Sequence, residues 1–554
     1  MNREERRRRQ RQERQANSSS NNIQTAKPST PQSLNLAIEH HQAGRLREAE
    51  TIYRELIATK PLQSDALYLL AVLENSKGNN RAAIDLLKQF LTIKPGFPKA
   101  HEVQALAHLA MNDFSSATAS FERAITLAPN IAETHINLGI TLYKQGFLKG
   151  AVASFEKALA LNAKLPAAHI GLGDTLYSLR QLKEAVACYR AALALEPDNP
   201  AIHSNLASAL SDLGLLSEAV SGYSEAIRLQ PDFAAAHNNM GNVLTKMGRM
   251  EEAAICCKKA LDINPDYKEA YCNLGVACLS LGQVEEAIAN FERGDADGAN
   301  DTASYNLMVC YYRLKNLQKF CDHMGRVSKN QKFNFKIASL CAFVENQTGI
   351  TNTYKFCEDP LDLVSVYNLL DTGRISTADI QALESSIRSK VGSEQSKPNL
   401  VIGGLQSSGN LFAENSRITE ILEPQIRLCI ADFLQQHRDA GGRLIEHWPD
   451  NYSLQAWFVR LMTGGEIRAH THEGWLSGVF YVRVPPNKEN NAGNIEFTLV
   501  RDDLPAIHQD IPNKICTSLS GRLILFPSSL PHRVIPFSED YERLCISFDM
   551  IPTN

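Results

Sequence analysis

The sequence predicts a multidomain chain: an all-α superhelical array of repeats followed by a mostly-β double-stranded β-helix, or jelly roll. Three observations lead there. Proline returns with a 34-residue period through the first half, and the apolar pattern between those prolines is helical. After about Ser453 that pattern gives way to short β-branched and aromatic runs separated by Gly, Pro and Asn. At 554 residues the chain also exceeds what one core supports.

The first segment is the stretch MNREERRRRQRQERQANSSSNN, with seven Arg against three Glu in its first sixteen residues and a Ser/Asn tract behind them. Residues 1–32 are expected to form a disordered basic arm, because this composition buries too little apolar surface to offset the entropy of ordering. Over the whole chain the composition is ordinary, with 44% apolar residues, 21% charged residues and a formal net charge of -4. That balance nominates neither nucleic acid nor a membrane surface as a partner. No apolar run approaches the ~18 residues of a transmembrane helix. The Arg-rich start also lacks the apolar segment of a signal peptide, so a cytoplasmic protein is expected. Twelve Cys are scattered without a C-x-x-C pair, which suits buried thiols better than a disulfide framework or a zinc ribbon. Nothing in the sequence sets the oligomeric state.

Residues 33–294 carry the array. Prolines fall at Pro61, Pro95, Pro129, Pro197, Pro231 and Pro265, with Ala163 in the one gap. Small residues recur at Ala71, Ala105, Gly139, Gly173, Ala207, Gly241 and Gly275. Alanines recur from Ala49 to Ala287, usually followed four residues later by an aromatic, as at Phe155, Tyr189, Tyr223 and Phe291. Small residues let two antiparallel helices approach, the aromatic fills the space beside them, and the proline stops the second helix. In INLGITLYKQGFLKGAVASFEKALAL these positions resemble the tetratricopeptide consensus L-G-x2-Y, A-x3-F, P, over eight copies without an indel. The resemblance implies a superhelix whose concave groove binds polypeptide.

Two ladders run along the repeats. Asn137, Asn205, Asn239 and Asn273 share one helix position. They resemble the asparagine ladder of the O-linked N-acetylglucosamine transferases, which implies peptide binding. An amide offers both donor and acceptor to a client backbone; the alternative is that Asn satisfies neighbouring helix ends. Two positions earlier stand His101, His135, His169, His203 and His237, expected to pack as flat side chains between helices.

Residues 295–395 still read as helical, as a degenerate repeat and linker, and GSEQSKP marks a boundary. Residues 396–554 form the predicted jelly roll, preceded within that segment by the amphipathic helix NSRITEILEPQIRLCIADFLQQH. The strands LQAWFVRLM, LSGVFYVRV, GNIEFTLV, GRLILFP, RVIPF and RLCISFDMIP follow.

Within GGEIRAHTHEGWLSGVFYV, residues i and i+2 of a strand point to one face, so His470 and His472 aim into one space. His532 follows 60 residues later in GRLILFPSSLPHRV, about the separation at which a jelly roll returns a strand opposite the first. The segments GGEIRAHTH and GRLILFPSSLPH also track the two cupin signatures, without the cupin glutamate.

The stretch HTHEGWLSGVFYVRVP…GNIEF…GRLILFPSSLPHRVIPF…ERLCISFD resembles the 2-oxoglutarate/Fe(II)-dependent dioxygenases found appended to tetratricopeptide arrays. That resemblance implies Fe(II) held by a H-x-D/E pair and a distal His, with 2-oxoglutarate as cosubstrate. It also implies a basic residue about ten positions beyond that distal His to grip the far carboxylate of 2-oxoglutarate, and Arg543 fits. Tyr481 is a candidate hydrogen-bond donor to a carboxylate, and Ser547 resembles the serine that accompanies the arginine. The departure is at position 472, where the family has an acid. Either His470, His472 and His532 form a three-imidazole set, or Glu473 is recruited through a bulge. The reading that results is a dioxygenase hydroxylating a polypeptide held in the repeat groove. Two alternatives stay open: a scaffold with an inactive jelly roll, and a three-His cupin-type enzyme acting on a small molecule.

Overall fold

Helices of 13 and 14 residues alternate through the first part of the chain, as a 34-residue repeat of two helices and two turns requires. The computed structural model describes residues 30–553 except 60–62, 296–299, 330–332, 391–393, 396–399, 408, 414–415, 486–490, 500, 502–503, 509–510 and 539. Its contacts divide the chain into two compact units, one ending at Met247 and the other starting at Gly248. The expected basic arm lies outside the described residues up to position 29, and the first helix, Thr30–Gln42, begins inside it.

In the first unit the described helices run from Thr30–Gln42 to Ala234–Lys246 as antiparallel pairs. Their packing follows the predicted small-to-aromatic register. A Cβ built on Gly139 would lie 2.8 Å from the ring of Phe155, and one on Gly173 would lie 2.7 Å from the ring of Tyr189. Both aromatics are buried, and they join Ala151, Ala185, Leu176 and Ile202 in one apolar cluster.

The histidine series has a specific task. Nε2 of His101, His135, His169, His203 and His237 each lies 2.8–3.1 Å from the backbone carbonyl six residues earlier. Those carbonyls belong to Pro95, Pro129, Ala163, Pro197 and Pro231, so each imidazole donates to a group freed where the preceding helix stops. The asparagines at the ladder position are half-buried. Asn205 Nδ2 donates to Asp174 Oδ1 at 3.1 Å, and Asn239 Oδ1 accepts from Asn238 Nδ2 at 3.2 Å.

The second unit opens on the helices Met250–Ile263, Lys268–Ser280 and Val284–Gly294, with Asn273 at the ladder position. Asp301–Arg313 and Leu317–Val327 then form the degenerate pair, and Phe335–Thr348 follows. These helices are anchored to a loop of the β domain. Tyr312 Oη donates to Pro505 O at 2.7 Å, and Gln347 Oε1 accepts from the amides of Ile507 at 2.6 Å and His508 at 2.9 Å.

Ten strands make one curled antiparallel sheet. In chain order they are β1 (Ser365–Asn368), β2 (Glu394–Gln395), β3 (Val401–Ser407), β4 (Tyr452–His470), β5 (Leu476–Arg483), β6 (Ile495–Thr498), β7 (Asn513–Cys516), β8 (Arg522–Pro527), β9 (His532–Val534) and β10 (Arg543–Pro552). The order across the sheet is β1-β8-β5-β10-β4-β9-β6-β7, with β3 also on β4 and β2 on β3. β1 pairs with β8, so the sheet reaches back to Ser365, inside the segment expected to be a helical linker. A four-residue strand gives too little periodic signal to be distinguished from a helical turn. The amphipathic helix forms over Arg417–His437, burying Ile418, Leu422, Ile426, Cys429, Ile430 and Phe433. Its end is tied to the sheet by a 2.8 Å hydrogen bond between His437 Nε2 and Ser365 Oγ.

β4 makes the corner of the roll. Tyr452–Leu461 pairs with β10, and Ile467 to His470 pairs with β9. Between them Gly464 takes a left-handed φ of 76°, and a Cβ on Gly465 would lie 2.6 Å from Met462 O. Only glycines let the strand turn this tightly.

All twelve cysteines are free. Burial pushes the Cys257 thiol up to about 12, as expected for an inert packing residue. No described helix is long and apolar enough to cross a membrane.

Two outcomes follow from the packing. Phe155→Ala should destabilise the first unit by roughly 3–5 kcal/mol, read from denaturant unfolding, because it empties the space that Gly139 and Gly171 leave for the ring. The second concerns His323, which is buried beside Arg326; burial, then that positive charge, hold its pKa down at about 4. The unfolded chain therefore takes a proton near pH 6.5 that the folded chain refuses. Stability of the second unit should be level above that pH and fall as pH drops from 6.5 toward 4, and His323→Leu should flatten part of that slope.

Candidate metal centre

A one-residue irregularity in β4 builds the site. Ile467 pairs with Val534 and His470 pairs with His532, so three steps on β4 match two on β9. The extra residue is a β-bulge across Arg468 and Ala469. Without it, alternation from Ile467 would send position 470 away from the cavity. With it, Ile467, His470 and His472 all line the same wall. A bulge had been considered as a way to recruit Glu473; the structure places it ahead of His470 instead.

His470 and His532 therefore face each other across the ladder, their ring centroids 4.3 Å apart. His472 lies just past the strand end, fixed by its amide donating to Ser528 O at 3.0 Å. Its Nε2 is 3.3 Å from His532 Nε2. One ring nitrogen from each of the three histidines lies within 4.8 Å of the others, a grouping able to hold a metal ion.

The remaining ring nitrogens set the tautomers. His470 Nδ1 is 2.9 Å from Arg468 O, and His532 Nδ1 is 3.3 Å from Leu530 O. His472 Nδ1 lies 3.0 and 3.1 Å from the two oxygens of the Asp549 carboxylate. Each of these partners only accepts, so each Nδ1 carries the hydrogen and each Nε2 presents a lone pair. Two such lone pairs 3.3 Å apart repel unless a cation lies between them. Burial holds His470 neutral down to about pH 4, and His532 is pushed well below its ordinary value by burial and by its imidazole neighbours. Neutral imidazoles are the form that ligates.

The cavity has a volume of 590 Å³. β10 contributes alternate residues to it: Arg543, Cys545, Ser547, Asp549 and Ile551. Val459, Ile467, Val479 and Phe526 give it apolar walls. Arg543 is 1% exposed and has no carboxylate partner among the described residues. Its Nε donates to Gly493 O at 3.2 Å, and its guanidinium carbon lies 5.1 Å from the centre of the Tyr481 ring. Tyr481 is fully buried, its hydroxyl has no hydrogen-bond partner of good geometry among the described residues, and burial raises its pKa. It backs Arg543 from outside the set of residues lining the cavity. A buried cation without an anion is costly, and a bound carboxylate would relieve it.

Glu473 takes no part in the histidine grouping. Its side chain is 85% exposed and pairs with Lys336 at 3.6 Å. It borders both this cavity and a second one of 550 Å³, lined by Asp301, Tyr305, Asn334 and Phe335. Asp549 was not anticipated as a member of the site. The only sequence signal for it was the odd-numbered alternation of RLCISFD, which places Asp549 on the face of Arg543.

Residues 455–549 match the model of the family described as "Putative 2OG-Fe(II) oxygenase". Residues 34–98, 103–166, 173–214, 208–248 and 232–294 match tetratricopeptide repeat models. The chain joins tetratricopeptide repeats to a domain of this oxygenase family. No curated protein matches the chain. Among solved structures it is similar to MamA, at 24% identity over 29% of this chain and 94% of that one with a TM-score of 0.28. It is also similar to YrrB, described as a TPR protein with an unusual peptide-binding site, at 24% identity over 33% of this chain and 95% of that one with a TM-score of 0.30. PilF of Pseudomonas aeruginosa gives 18% identity over 38% and 96%, with a TM-score of 0.35.

The oxygenase domain provides a donor set suited to Fe(II): three convergent imidazoles in a walled cavity. Titration with Co(II), followed by visible absorption, should show one site in the wild type. Glu473→Gln should leave that site unchanged, and His532→Ala should abolish it.

Proposed function

We propose that the oxygenase domain uses Fe(II) and 2-oxoglutarate to hydroxylate a polypeptide, and that the tetratricopeptide repeats bind that polypeptide. One observation carries the reading: three imidazole lone pairs converge in the same cavity as a buried guanidinium that has no carboxylate partner among the described residues.

His470, His472 and His532 would hold the metal. Arg543 would receive the far carboxylate of 2-oxoglutarate, since a planar guanidinium grips a carboxylate through two N–H groups at once. Ser547, two residues further from Arg543 than Cys545 on the same face, lines the cavity and offers a hydroxyl donor to the bound molecule. Tyr481 holds the guanidinium plane from behind. When bound, Fe(II) supplies the redox chemistry that couples oxidative decarboxylation of 2-oxoglutarate to oxidation of a C–H bond. Val459, Ile467, Val479 and Phe526 keep bulk water from that reaction. The second cavity, sharing Glu473 with the first and lined by both polar and aromatic residues of the helical segment, would serve as the client's approach. Half-buried asparagines at one position of successive repeats support backbone recognition by the array.

A second reading rests on the absence of a carboxylate among the three converging ligands: thiol dioxygenases of the cupin class use three histidines and no 2-oxoglutarate. Succinate formation separates them. The wild type with Fe(II) and 2-oxoglutarate should release succinate, and more of it when a client peptide is present. Arg543→Met should raise the KM for 2-oxoglutarate by roughly 10²-fold, the loss of a buried charge-assisted pair, while Co(II) binding persists. Oxygen consumption by the wild type without 2-oxoglutarate, on a small thiol, would establish the cupin-type alternative. Peptide binding without any turnover would leave the protein as a scaffold.

A further inference from the structure

The family pattern places an acid where this chain has His472, yet a carboxylate does reach that histidine. Asp549 approaches from the Nδ1 side, and Nε2 on the other side of the ring faces His532. The Asp549 carboxylate is itself held. Ser477 Oγ donates to Asp549 Oδ1 at 2.6 Å, and Ser528 Oγ lies 2.6 Å from Ser477 Oγ. Both serines are fully buried, and Ser477 stands directly opposite Asp549 in the pairing of β5 with β10. Ser528 also supplies the carbonyl that accepts the His472 amide, so backbone and side chain of His472 are fixed by one closed ring of four residues. Gly474 lets the turn after His472 come close, since a Cβ there would lie 2.9 Å from the Asp549 Cβ.

We infer that Asp549 is the carboxylate of this metal centre, acting one imidazole removed from the ion as the positioning residue for His472. The inference rests on the metal centre proposed above. Three neutral imidazoles leave a divalent ion with its full charge inside apolar walls, whereas a carboxylate on the metal would cancel part of it. An anion hydrogen-bonded to Nδ1–H does this at one remove: it fixes the tautomer, aligns the Nε2 lone pair and makes that nitrogen more basic. The two serines order the carboxylate with O–H donors and add no charge, leaving its negative charge directed at the imidazole.

The test is Co(II) titration of the full-length protein and its variants, with visible absorption and thermal melting read in parallel. Asp549→Ala should weaken Co(II) binding by about 10–100-fold. Asp549→Asn, which keeps an acceptor but removes the charge, should fall between that variant and wild type, and both should shift the Co(II) band. Ser477→Ala should weaken binding less, in the same direction, and serves if the Asp549 variants do not fold. Asp549 variants that bind Co(II) like wild type with an unshifted band would overturn the inference while leaving the metal centre standing, even if their melting temperature drops. If the Asp549 variants do not fold, Ser477→Ala binding Co(II) as tightly as wild type overturns the inference in the same way. A wild type that binds no Co(II) removes both.

Discussion

The register of one short ladder governs the oxygenase domain. β9 is three residues long, and it pairs His532 with His470 only because β4 carries one extra residue after Ile467. A strand alternates faces with a period of two, so a regular ladder through the same residues, without the bulge, would turn the His470 and His472 side chains toward the opposite face. The glycines at 464 and 465 serve the same end upstream, turning β4 so that one strand pairs first with β10 and then with β9. The metal centre is thus a property of how two distant segments are registered, and the cavity walls follow from the same alternation on β10.

Electrostatics explains why such a cavity is arranged for ligands. Histidines kept neutral by burial and an arginine enclosed without an anion are both costly in an apolar interior. Each cost becomes useful when a cation meets the imidazoles and a carboxylate meets the guanidinium. The Ser528–Ser477–Asp549 chain beside the cavity is instead satisfied internally. The repeats follow the same economy with simpler means. Their histidines are consumed by carbonyls at helix ends, and Asn205 and Asn239 are hydrogen-bonded within the array as well.

Much of this was legible in the chain of letters. Thirty-four-residue spacing announced the helix pairs, because a helix pair has a fixed length and each small-to-aromatic contact must recur in every copy. His470 and His472 could be picked out by strand alternation, and His532 and Arg543 through the resemblance to the dioxygenase motifs. The sheet's first strand at Ser365 was hidden, since four residues carry no period. Asp549 was hidden for another reason: it meets His472 across 77 residues of sequence, and no local pattern ties an acid on one strand to an imidazole on another.

The sequence by itself determined the repeat architecture, the change to a β domain and the shared face of His470 and His472, because periodicity and alternation are local consequences of helix and strand geometry; His532 and Arg543 were reached through the family resemblance. Only the tertiary structure decided where the bulge falls, that Glu473 stays out of the histidine grouping and that Asp549 stands behind His472. These depend on pairing register between strands far apart in the chain, and a shift of a single residue there exchanges inside for outside.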